Sequence, residues 1–350
     1  MMEPLTHHQC SIVPPYLLAR LAGLPTSDFT RASSAAARTL EHIDAVQQIR
    51  VQGIRAAPSS VSSGLNRTIS DAGNREVLPG KAVRHEGEPS TGDAAVDEAY
   101  DGLGHTYSLF HNIFDRSSID GSGGSLAATV HYGDGYDNAF WNGARMVFGD
   151  GDGEVFTRFT RSVTVIGHEL AHGFILAETP LEYQGQPGAL QESVADVFGV
   201  LVEQHLLNQD VESASWLVGD GLFTDEVQGQ ALRSFKAPGT AYDDDILGKD
   251  PQPASMDAYV ETAQDRGGVH INSGIPNRAF YLCAAHLGGF AWERAGRIWY
   301  HAVISGQVTA TYTFAEFAAL TLDTATAQFG PESLEVTATA QAWRETGVLP

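Results

Sequence analysis

Two histidines with a glutamate between them, His168-Glu169-Leu170-Ala171-His172, have the types and spacing for chemistry in this 350-residue chain. Four residues apart on a helix, the imidazoles lie about 40° apart around the axis, so both can reach one cation. Glu169 lies about 100° from His168, near enough to contact a water on that cation rather than the cation itself. This geometry suits a general base acting on metal-bound water. Chance yields about 0.03 such strings at this composition. A solvated surface helix is the plain alternative. Against it, the motif sits among Val163, Val165, Ile166, Leu170 and Phe174, where unpartnered imidazoles would be costly.

A catalytic zinc site commonly takes three protein ligands and leaves one position for water, so a further donor must come from elsewhere. Glu192 is the best candidate, 20 residues after His172, at the start of a second helical stretch reading Glu192-Ser193-Val194-Ala195-Asp196-Val197-Phe198. Asp196, one turn later on the same face, is placed to accept the free ring N–H of a ligand histidine and fix its tautomer. Alone, the pair would be an ordinary acidic helix face; joined to the histidine motif it reads as part of a metal site.

The elements that must position these groups follow from periodicity. Val96, Tyr100, Leu103, Tyr107, Phe110 and Phe114 recur at steps of three and four, which predicts a core helix from Asp93 to about Asp115. Residues 125–160 carry Gly and Asn punctuation between short β-rich runs, Leu126–Tyr132 and Ala144–Phe148, which predicts hairpins. After about Ser162 the helical period dominates, with amphipathic segments expected near 162–178, 189–207, 274–287, 291–305, 314–328 and 331–345. The fold class is α+β, sheet-rich and then helical. Ala56-Ala57-Pro58-Ser59-Ser60-Val61-Ser62-Ser63-Gly64 reads as a flexible linker after a short leading segment. Residues 1–60 are therefore expected to form a detachable segment, 61–161 the sheet-rich part and 162–350 the helical part.

Composition bounds the partners. Lys plus Arg number 21 against 43 Asp plus Glu, a net charge of −22; such a charge repels phosphate backbones and anionic lipid surfaces, so neither nucleic acid nor membrane is expected as a partner. The apolar residues, 43% of the chain, are dispersed, with no run near the roughly 20 of a membrane span, which predicts a soluble protein. Residues 1–55 hold five Arg against four Asp and Glu, a near-neutral segment able to lie against an acidic body. Cys10 and Cys283 suggest no disulfide framework, Cys283 reading as a small buried hydrophobe. The start Met1-Met2-Glu3-Pro4 lacks the basic and apolar runs of a classical export signal.

Several further motifs follow in order: Asn138-Ala139-Phe140-Trp141-Asn142-Gly143, Gly149-Asp150-Gly151-Asp152-Gly153, and Asp265-Arg266-Gly267-Gly268-Val269-His270-Ile271-Asn272-Ser273-Gly274. With the zinc motif and the Glu192 stretch, the chain resembles the thermolysin-like zinc metallopeptidases over roughly residues 93–346. The resemblance implies a zincin fold with the zinc helix at the floor of a cleft between the two parts, and hydrolysis of internal peptide bonds with one catalytic Zn2+. It implies that His168, His172 and Glu192 bind zinc, while Glu169 takes a proton from the attacking water and passes it to the leaving amine. His270 and Tyr183 correspond to donors for the tetrahedral oxyanion, and Asp265 to the acid that orients His270. Asn138 and the Ala139 carbonyl correspond to the edge that holds the substrate backbone, and Arg233 to the group that grips a substrate carbonyl. Phe156, Phe159, Val165 and Leu232 fall where the family forms the pocket for the residue after the cleaved bond, implying a preference for bulky apolar side chains there.

The family's double calcium site is expected to be absent or reduced. Thr164 stands where an acid would precede the first ligand histidine, and Ser215-Trp216-Leu217 where further acids would lie, although Glu203 and Asp220 remain. The stretch from His8 to Leu18, with Pro14-Pro15, resembles the start of the short propeptide of the protealysin-type branch, implying a zymogen inhibited by its own N-terminal segment. Cys10, flanked by His7 and His8, is a candidate thiolate ligand of the zinc in the latent state. Relatives of this type are typically secreted, so export by another route and retention in the cytoplasm both stay open. Two other readings of the same residues are a binding or inhibitory module that keeps the metal, and a zinc hydrolase of non-peptide amides. Peptide hydrolysis by wild type and by Glu169→Ala separates them.

Overall fold

The protein is described here from a computed structural model covering residues 11–25, 27–50 and 64–350. His7, His8, Cys10 and the linker residues 56–63 lie outside the described residues. A five-stranded sheet is built from β1 (Arg67–Arg75), β2 (Lys81–His85), β3 (Leu126–Tyr132), β4 (Ala139–Trp141) and β5 (Met146–Phe148), in the order β2-β1-β3-β5-β4. β3 runs parallel to both β1 and β5, whereas β4 and β5 pair antiparallel with Phe140 opposite Val147. The expected hairpin in this region is therefore β4–β5; Leu126–Tyr132 is a central strand, buried at most positions by neighbours on both sides. β4 forms the edge. Its Trp141 ring packs over Gly173, while Phe140 faces the other way onto Tyr132 and Tyr136.

Two helices precede the sheet, α1 (Pro15–Ala22) and α2 (Thr30–Arg50), and α3 (Ala94–Phe114) follows β2. α3 matches its periodicity. The Asp93 carboxylate caps it by accepting from the N–H groups of Ala95 and Val96, and Val96, Tyr100, Leu103, Phe110 and Phe114 are buried.

α4 (Val163–Glu178) and α5 (Gly185–Leu207) depart from the amphipathic pattern expected of them. Every residue from Thr164 to His172 and from Gly188 to Val202 is buried. Such helices lie inside a protein rather than on it; α4 is covered by α3, β4 and α5, and α5 further by α6 (Asp265–Asn272), α7 (Gly274–Leu287) and α8 (Ala295–Val303). Two glycines let α4 and α5 approach closely. A Cβ on Gly199 would stand 2.6 Å from the Thr164 carbonyl oxygen, and one on Gly167 would stand 3.0 Å from the Gly199 Cα. α9 (Phe314–Phe329) and α10 (Leu334–Glu345) close the helical part, and β6 (Leu217–Val218) pairs with β7 (Arg233–Ser234) in a short antiparallel ribbon packed against α4 and α5.

α1 and α2 lie against the body. Pro15 opens α1, where its missing N–H costs no hydrogen bond, and Leu17, Leu18 and Leu21 are buried. Three of the arginines in this near-neutral segment bond to the acidic body. Arg20 donates to the carbonyls of Asp245 and Ile246, Arg31 pairs with Glu154, and Arg38 donates to the Asp134 carbonyl. His42 on α2 sits among Tyr132, Tyr136 and Phe140, its ring centre 5.4–6.2 Å from theirs.

Replacing Gly199 by Ala pushes α4 and α5 apart where the backbone cannot yield cheaply. Gly199→Ala is expected to cost about 1–3 kcal/mol of stability and to lower the amount of metal retained, read by thermal unfolding and elemental analysis.

Candidate active site

α4 supplies His168 and His172, and α5 supplies Glu192. The two Nε2 atoms are 3.0 Å apart, and each lies 3.5 Å from a Glu192 oxygen. Among the described residues this is the one group of three or more His, Cys, Asp or Glu arranged to hold a metal ion, and all three members are buried. His168 Nδ1 lies 2.8 Å from Asp196 Oδ1, so the ring proton is assigned to Nδ1 and the Nε2 lone pair is bare. Burial, reinforced by His168, holds the His172 pKa well below its ordinary value and keeps that imidazole neutral. Glu192 Oε2 is buried with no hydrogen-bond donor among the described residues. Two converging imidazole lone pairs and a carboxylate fit a tetrahedral zinc with one position left over.

Glu169 points its carboxylate toward β4, where Oε2 accepts the Trp141 N–H at 2.9 Å. Oε1 is buried with no hydrogen-bond partner among the described residues. Burial, then the Glu192 charge, raises its pKa well above the carboxylate range, which favours taking up a proton.

His270 reaches the site through an unusual bend. Asp265, Arg266, Gly267 and Gly268 are all left-handed, with φ between 49° and 81°, a run that glycine at two of the four positions makes feasible. The bend folds Asp265 back under α6, where Oδ2 accepts the His270 N–H and Oδ1 lies 2.6 Å from Nδ1. Burial opposes protonation of His270, but the Asp265 and Glu192 carboxylates outweigh it and hold its pKa up at about 9. These carboxylates favour the protonated ring, and its Nε2 faces the site. The Tyr183 hydroxyl stands beside it, 3.3 Å from Nε2, and donates to Glu192 Oε1 at 2.5 Å.

Asp196 has further partners besides His168. It also accepts from Arg233 Nε and Nη2 and from Asn277 Nδ2, each at 2.8 Å. Burial alone would raise the Asp196 pKa, but the guanidinium and His168 draw it well below the usual range. The same Arg233 uses Nη1 to donate to the Ile12 carbonyl at 3.1 Å. Asn277, on α7, was not singled out in the sequence; 81 residues from Asp196, it carries no local signal.

Asn138 and Ala139 meet the same N-terminal segment. Ser11 pairs antiparallel with Phe140 on the open edge of β4. Ile12 N–H donates to the Ala139 carbonyl at 3.2 Å, Val13 N–H donates to Asn138 Oδ1 at 2.9 Å, and Asn138 Nδ2 returns a bond to the Val13 carbonyl. The Ser11 carbonyl accepts from His270 Nε2 at 3.1 Å. Ile12 is fully buried and belongs to one continuous apolar cluster with Phe156, Phe159, Val165 and Leu232. Cys283 is buried against Thr339, and burial pushes its thiol up to about 12.

Asp196→Asn removes the charge that fixes His168 while leaving a similar shape. Metal affinity is expected to fall about 10–100-fold, measured by competition with a chromogenic chelator.

The chain is similar in sequence and fold to known metallopeptidases. The sequence model of the thermolysin metallopeptidase catalytic domain matches residues 64–176, and that of the family's alpha-helical domain matches residues 179–348. An extracellular metalloprotease of Pectobacterium carotovorum subsp. carotovorum is 48% identical over 97% of this chain and 96% of its own. Protease PrtS of a Photorhabdus species is 51% identical over 82% of this chain and 78% of its own. The solved structure of the precursor of protealysin, a metalloproteinase from Serratia proteamaculans, superposes with a TM-score of 0.89 at 48% identity, covering 97% of this chain and all of that one. The chain belongs to the thermolysin metallopeptidase family, as a zinc-dependent endopeptidase of protealysin type made as a precursor.

Proposed function

We propose that the enzyme hydrolyses peptide bonds held as an added strand on β4, with a bulky apolar residue immediately after the bond. The observation that carries this reading is its own segment Ser11–Val13, bound in extended form by Asn138, the Ala139 carbonyl, Arg233 and His270. A substrate held the same way puts its reacting carbonyl against His270 and Tyr183 and the next side chain among Phe156, Phe159, Val165 and Leu232.

Bound zinc would be held by His168, His172 and Glu192, and would supply Lewis acidity toward a water and the substrate carbonyl. Glu169 then takes the water's proton at Oε1, its Oε2 being anchored by the Trp141 N–H, and hands it to the departing amine. His270, kept charged by Asp265, and Tyr183 donate to the carbonyl oxygen as negative charge develops there. Asp196 positions His168 and Arg233 together.

Residues 1–60 act as the removable propeptide, and 61–161 and 162–350 form the two halves of the enzyme. Zinc is the catalytic metal, and the calcium pair is absent or reduced, because Thr164, whose Oγ1 accepts the Gly219 N–H at 2.9 Å, supplies no carboxylate there. The Pectobacterium relative is named as extracellular, and we assign this chain the same place of action; no helix among the described residues is long and apolar enough to cross a membrane.

With the propeptide removed, Glu169→Ala is expected to lower hydrolysis of a quenched peptide by about 10²–10⁴-fold without loss of bound zinc; equal activity in both forms would end the mechanism. A library of cleaved peptides is expected to show Ile, Leu, Val and Phe enriched after the cut. Enrichment of charged residues there would contradict the pocket assignment.

A further inference from the structure

The bond joining Ser11 to Ile12 has each of its flanking groups held by a different part of the site. On its carboxyl side, the Ile12 N–H is fixed to Ala139, the Ile12 carbonyl to Arg233, and the Val13 N–H to Asn138. On its amino side, the Ser11 carbonyl oxygen receives the His270 Nε2–H. His270 Nε2 is itself 3.3 Å from the Tyr183 hydroxyl and 3.5 Å from the metal-ligand carboxylate of Glu192. The chain direction is that of a strand antiparallel to β4, and the side chain after the bond is Ile12, fully buried among apolar neighbours. A segment that merely plugged a cleft would have no need to match donor to acceptor on both sides of one peptide bond.

We propose that Ser11–Ile12 is a self-processing site: the precursor hydrolyses this bond within its own molecule and acquires a new N-terminus at Ile12. The inference rests on the functional reading above. The oxygen of water bonds to the Ser11 carbonyl carbon, the Ser11–Ile12 C–N bond breaks, and both water protons end on the Ile12 nitrogen by way of Glu169. The products are a carboxylate on Ser11 and an ammonium on Ile12. The cut is slow, because Ser11 is 4% and Ile12 0% exposed, which restricts entry of water.

Cutting here does not free the cleft. Residues from Ile12 onward stay docked through Leu17, Leu18 and Leu21 and through the contacts of Arg20, Arg31 and Arg38. The cut chain is therefore a nicked but still inhibited form, distinct from the mature enzyme made by cleavage near the linker.

The test uses zinc-loaded full-length protein incubated after purification and followed by intact mass and N-terminal sequencing. A species lacking residues 1–11 is expected to accumulate at a rate unchanged by hundredfold dilution, and to be absent from Glu169→Gln and from Ile12→Pro. A rate that scales with concentration, or equal cutting in Glu169→Gln, would overturn it. Two measurements do not depend on those variants folding. In chelator-treated protein, the Ile12 and Val13 amide hydrogens are expected to exchange slowly, and unprotected exchange would show that the alignment is absent. A synthetic peptide of residues 5–18 given to propeptide-free enzyme is expected to be cut between Ser11 and Ile12; cutting only elsewhere would refute the assignment. If propeptide-free enzyme hydrolyses casein yet no Ile12 terminus ever forms, this proposal alone fails. If casein is untouched as well, the functional reading fails with it.

Discussion

The buried carboxylate of Asp196 is the point on which the site depends. A charge with no solvent contact persists only when its lone pairs are met, and four donors from three other elements meet these: His168 of α4, Arg233 of β7 through two nitrogens, and Asn277 of α7. Removing one partner of such a group strands the rest, which typically costs about 3–5 kcal/mol. The carboxylate thus fixes the tautomer of His168, holds the guanidinium that bonds to the Ile12 carbonyl, and ties α4, α5, α7 and β7 together. The hold on the N-terminal segment through Arg233 and the orientation of His168 share one anchor.

Around that anchor, two backbone constraints set distances. The close approach of α4 and α5 at Gly167 and Gly199 brings Glu192 within reach of both histidines. The left-handed run from Asp265 to Gly268 turns an acid, whose carboxylate favours protonation of the imidazole, back beneath His270. Asn138, the Ala139 carbonyl, Arg233 and His270 all bond to the N-terminal segment Ser11–Val13.

Short-range spacing was legible in the sequence where chemistry is local. The four-residue step of His168 and His172 and the matching step of Glu192 and Asp196 needed only helical geometry, and α3 followed from its apolar period. What failed depended on partners distant in sequence. α4 and α5 carry enough apolar residues to be buried all round, yet a period search sees only the richer face. Leu126–Tyr132 was recognised as β-rich, but its parallel neighbours lie across a helix on one side and across β4 on the other. β1 reads Arg-Thr-Ile-Ser-Asp-Ala-Gly-Asn-Arg and gave no strand signal, because pairing with β3 rather than apolar content holds it in the sheet. Arg233 came from the family resemblance as a carbonyl grip; that it also neutralises Asp196 required knowing that residues 37 apart meet.

β4 is only three residues long. An open sheet border invites any extended chain, including another copy of the same protein, and long bare borders grow into fibres. Three residues can align a single guest across one bond but offer too few backbone partners for stacking to propagate. Brevity here limits how far pairing between copies could spread, and while Ser11–Val13 lies along that margin the chain does not display it.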